Sequence, residues 1–69
     1  MALTDEQYDE SAKNYAEYLL RVEVPEGKTV EELQQEMEQA AASHALWSSA
    51  PRSYVVEGYG LAITQVQQQ

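Results

Sequence analysis

The 69-residue chain has no cysteine, no phenylalanine, one histidine and one tryptophan. Without cysteine, neither a disulfide framework nor a thiolate metal site is open to it, and the lone imidazole of His44 is too little for a histidine-based one. Basic residues are scarce as well: four Lys and Arg stand against 12 Asp and Glu, a formal net charge of −8. A chain so charged is repelled by phosphates, so direct binding to DNA or RNA is not expected. No apolar run approaches the about 18 residues of a membrane span. The opening Met-Ala-Leu-Thr-Asp-Glu has neither the basic nor the apolar stretch of a secretory signal. A cytoplasmic protein without membrane contact is therefore expected.

Catalytic constellations are missing too. Ser43 precedes His44, but neighbouring positions on a helix do not face each other, and no third group is placed to orient the base. Gly58-Tyr59-Gly60 lacks the later glycine and lysine of nucleotide-binding loops and reads as a turn. Asp5/Asp9 and Glu6/Glu10 are carboxylate pairs one helical turn apart that could hold a divalent cation only weakly. An acidic first turn that complements the helix dipole explains them better. The expectation is a protein that is not an enzyme and uses neither cofactor nor metal.

What is present is enough for one small domain, residues 1–69. At this size a core rarely supplies more than ~3–5 kcal/mol, and with disulfides and thiolate metal sites excluded, the remaining staple is association, so a homodimer or a subunit that folds onto a partner is expected. Thr4-Asp5-Glu6-Gln7 is a capping box that predicts a helix over about 4–20, with Tyr8, Ala12, Tyr15, Leu19 and Val22 on one face, although Ala16, Tyr18, Leu20, Val22 and Val24 also alternate as a half-buried strand would. Residues 21–24, Arg-Val-Glu-Val, read as a short extended segment entering the turn Pro25-Glu26-Gly27-Lys28.

Thr29-Val30-Glu31-Glu32 repeats the capping box and opens a helix over about 30–47. Its apolar stripe, Val30, Leu33, Met37, Ala40, His44 and Trp47, steps by three and four as a helix seam does. Leu33, Met37, Ala40, His44 and Trp47 are the expected dimer interface, with His44 hydrogen-bonding across it. Pro51 interrupts the chain. Tyr54-Val55-Val56-Glu57 and Leu61-Ala62-Ile63-Thr64-Gln65-Val66 then flank the glycines and predict a C-terminal β-hairpin or a single bulged strand, before a polar Gln67-Gln68-Gln69 tail. The expected class is α+β, with a mainly α helical hairpin and an extended tail as the alternative.

Charge and aromatics together suggest a binder. Eleven of the acids and three of the bases lie in residues 1–40, so the field belongs to the first two helices. Five tyrosines and one tryptophan with no phenylalanine favour surfaces that are dry on one side and hydrogen-bonded on the other. The composition resembles, in style and without a shared motif, the small acidic host-takeover and anti-defence proteins of bacteriophages. That likeness implies an inhibitor or modulator docking on the basic, nucleic-acid-binding surface of a larger host protein, such as a transcription regulator or CRISPR effector, as a nucleic-acid mimic. Asp9, Glu10, Glu31, Glu32, Tyr8, Tyr18 and Tyr59 are the candidate partner-binding residues. The other reading is a structural or assembly subunit of a permanent complex whose acids serve solubility.

Overall fold

The structure, a computed structural model, describes residues 3–68; Met1, Ala2 and the final glutamine of the tail, Gln69, lie outside it. Three α-helices follow one another: α1, Asp5–Tyr18; α2, Val30–Trp47; and α3, Tyr54–Gln67. Both capping boxes close. The Thr4 hydroxyl accepts from the Gln7 amide at 3.2 Å while Gln7 Oε1 accepts from the Thr4 amide at 2.9 Å. Thr29 and Glu32 repeat the exchange at 3.2 and 3.1 Å. Each box satisfies two of the amides that a helix start leaves without partners.

The segment expected to be extended, 21–24, is instead helical: α1 runs on into a π-helical turn, Leu19–Glu23, in which the Val24 amide donates to the Leu19 carbonyl at 2.9 Å. Five-residue spacing stacks Leu19 over Val24, and both join the core; a strand would have sent them to opposite faces. Gly27, at φ +111°, then ends the helix. The Lys28 amide reaches back to the Glu23 carbonyl and that of Gly27 to Val24, the paired closure that a left-handed glycine allows.

The C-terminal hairpin is also overturned, because no strand exists among the described residues and 54–67 form α3. The alternative with an extended tail fails at the same place. The physical reason lies in burial. Val55, Tyr59, Ala62, Ile63 and Val66 recur with a helical period, and a two-stranded hairpin with no third strand is marginal in water. As a helix, the segment packs against α1 on one side and α2 on the other, and those two do not pack against each other. β-Branched preference yields to that two-sided burial. Ser53, overlooked as a cap, accepts from the Val56 amide at 3.3 Å.

Gly58 sits within α3 for a reason of space. A Cβ there would meet Tyr15 Cδ2 at 2.7 Å and the Ala12 carbonyl at 3.1 Å, so its absence lets α1 come close. Ala16, Leu19, Leu33, Tyr59, Ala62 and Ile63 form the buried core. The radius of gyration is 12.1 Å, against about 11 Å for a globular chain of this length. The molecule is slightly drawn out, and α2 is its longest helix.

Candidate protein-binding surface

Two of the four basic side chains are half-buried, and both are spent on internal ion clusters. Lys28, in the turn between α1 and α2, contacts the Glu23 carboxylate and lies 2.7 Å from Glu36 Oε2. Glu36 in turn accepts from the Tyr59 hydroxyl at 2.9 Å, and Tyr59 accepts from Tyr15 at 3.2 Å. The chain of bonds ties the turn, α2, α3 and α1 together. Lys28, and then the Tyr59 hydroxyl, hold the Glu36 carboxyl below its ordinary value. Burial first, then the hydrogen bonds from Tyr15 and to Glu36, push the Tyr59 phenol well above its own.

Arg52 plays the same part at the other cluster. Its guanidinium engages Glu57 through two nitrogens, lies 2.7 Å from Asp9 and 3.4 Å from Asp5, and covers the Tyr8 ring at 5.2 Å from the centroid. It thereby clamps the loop before α3 onto α1, and its charge draws the Glu57 carboxyl below the usual glutamate range. Asp5 and Asp9 therefore face a cation of the chain itself. Among the described residues no group of three or more His, Asp or Glu is placed to hold a metal.

The expected partner-binding residues divide sharply. Tyr8 lies buried beneath Arg52, and Tyr59 is a core residue in the hydrogen-bond chain, so neither offers a face to a partner. Asp9 is bound to Arg52, and Glu32 is part of a capping box. The side chains of Glu10 and Glu31 are exposed and make no hydrogen bond among the described residues, and Tyr18 is 48% exposed while stacking on Tyr15. Nine acids are exposed (Asp5, Glu6, Asp9, Glu10, Glu17, Glu26, Glu31, Glu32 and Glu38), against two exposed bases, Lys13 and Arg21.

The expected dimer residues also separate. Leu33 is fully buried within the single chain, and Met37 and Ala40 pack on the same core, so this part of the stripe is used against α3. His44 Nε2 lies 3.0 Å from the Ala50 carbonyl, an intrachain bond. Trp47 alone stands out, 81% exposed, beside Leu46 at 73%. An open groove of about 630 Å³ between α1 and α3 is lined by Lys13, Leu61 and Thr64, with Asp9 and Glu57 on its wall already held by Arg52.

Lys28, Glu36, Arg52 and Glu57, the residues that organise the surface, escaped the sequence reading. Their partners lie across helices, at separations that no single-helix spacing encodes. Comparison with family models, curated proteins and solved structures finds no match to this chain. No helix among the described residues is long and apolar enough to cross a membrane.

Proposed function

We propose that the chain is a small non-enzymatic binding protein that acts as an inhibitor or modulator by docking its acidic surface on a basic, nucleic-acid-binding face of a larger protein. One observation carries the reading: the fold internalises half of its cations and leaves nine acids exposed against two bases. Such a surface steers toward basic partners and away from phosphates. Glu10, Glu31 and Glu38 are the residues to test, being exposed and outside both ion clusters and both capping boxes.

The experiment is affinity capture at low and at high salt, using the protein and a Glu10→Lys/Glu31→Lys/Glu38→Lys variant of unchanged helicity. A stoichiometric partner that is held by the protein, released by salt and lost by the variant is the expected result. A partner indifferent to both salt and charge reversal contradicts the proposal. The second reading, an assembly subunit, is favoured by the exposed Leu46 and Trp47 and predicts that indifference.

A further inference from the structure

α2 is 18 residues long and α3 is 14, so at 1.5 Å per residue α2 is about 6 Å the longer. Its contacts with the core end at Ala40. Beyond that point Ala41, Ala42, Ala45, Leu46 and Trp47 are all exposed. Tryptophan is seldom left in water, and a soluble chain rarely leaves so contiguous an apolar end without a purpose.

This end is firmly held. The Ser48 amide closes the helix on the His44 carbonyl at 2.9 Å, His44 Nε2 meets the Ala50 carbonyl, and the Ala50 amide donates to Ser48 Oγ at 3.1 Å. Trp47 is thus presented at a tied corner, an arrangement that lowers the ordering cost of binding.

Charge decides what covers it. From Gln39 to Pro51 the chain has no Asp, Glu, Lys or Arg, whereas the exposed acids lie on α1, the turn after it and the first half of α2. A basic partner is drawn to those acids and gains nothing electrostatic at the neutral end. A second copy is repelled wherever acids would meet acids, and the neutral end is where that repulsion is weakest. We infer that the last two turns of α2, Ala41–Trp47, are a self-association surface that pairs two copies of this chain about a two-fold axis. An antiparallel crossing sets Leu46 and Trp47 of each copy over the small, exposed Ala42 and Ser43 of the other, the four residues that share one face of the helix end, and carries the acidic halves to opposite ends.

Trp47 contributes roughly 200 Å² of the about 800 Å² per partner that a standard interface buries, and the short surface makes the dimer a weak, reversible one. The inference is independent of the acidic partner proposed above, and salt separates them. Salt weakens the acidic docking but strengthens this dimer by screening the residual repulsion.

The test is sedimentation velocity of the full chain over about 1–300 µM, a range suited to weak interfaces, with the emission of Trp47, the one tryptophan, followed in parallel. The expected result is a rise from monomer to dimer with a blue shift in step, tightened by salt. Leu46→Lys and Ala42→Lys, both at exposed positions, should each remain monomeric with unshifted emission and unchanged circular dichroism. A chain monomeric throughout with unshifted emission overturns the inference, as does a dimer that survives both substitutions or an open-ended series of larger species.

Discussion

From Val30 to Ala40, α2 carries every one of its carboxylates and lays Leu33, Met37 and Ala40 on the core, with Glu36 tied to Lys28 and Tyr59. From Ala41 to Trp47 the same helix has no acid or permanent cation, and His44 is its one residue that is not exposed. The apolar stripe runs through both halves without a break, yet only the first half finds α3. A helical period identifies a face; the length of the helix it packs against decides how much of that face is buried.

The largest expected contrast comes from truncating one residue in each half. Leu33→Ala removes a fully buried side chain and should cost about 2–5 kcal/mol in urea unfolding. Trp47→Ala, measured in dilute monomer, should stay within about 0.5 kcal/mol despite the greater loss of volume. Comparable losses at both sites would break the division of α2.

A sharper test lies on α3, the helix that sets the division. Gly58→Ala should destabilise by about 1–3 kcal/mol, since the new methyl would press on Tyr15 and the Ala12 carbonyl. Gly60→Ala meets nothing within 4 Å and should stabilise by up to about 1 kcal/mol through helix propensity. Opposite shifts in thermal midpoint two residues apart would confirm that α1 closes on α3 at Gly58.

A smaller effect is expected at the hydrogen-bond chain that pins the first half of α2. Tyr59→Phe should cost about 1–2 kcal/mol by removing the hydroxyl that donates to Glu36. Chemical denaturation of this variant should leave Trp47 emission in the folded state unchanged.

The smallest effect is in the pH profile. Glu36 and Glu57 have folded values lowered from about 4.5. Their contribution is fully present above that pH and is lost as the pH falls through the lower folded values. Lys28 and Tyr59 are shifted upward, so theirs is present up to about pH 10 and is lost as pH rises through the folded values. Urea midpoints between pH 2 and 5 should fall on acidification, and Glu36→Gln should flatten part of that fall.

The starts of α1 and α2 are legible because capping boxes are local: Thr4 and Thr29 act within three residues of themselves, and the expected bounds of α2 are the observed ones. α3 departs from the strand expectation because Val55, Val56 and Ile63 favour strands in isolation, and what makes them helical is burial between α1 and α2, contacts that a local pattern does not encode. The candidate surface divides in the same way. Exposed Glu10 and Glu31 follow from helical spacing, whereas the withdrawal of Tyr8, Tyr59 and Asp9 depends on Arg52 and Glu36, which meet them across helices. His44 on an apolar stripe gave no hint that its bond would run to Ala50.

Hydrogen exchange along α2 in dilute solution measures the division most directly, since it reads each amide of one helix in one experiment. Strong protection is expected from about Leu33 to Ala40, with a step down at Ala41 to a lower protection that persists to Trp47 and rises with protein concentration. Protection undiminished to Trp47 in the dilute monomer, unchanged by concentration, would contradict the division.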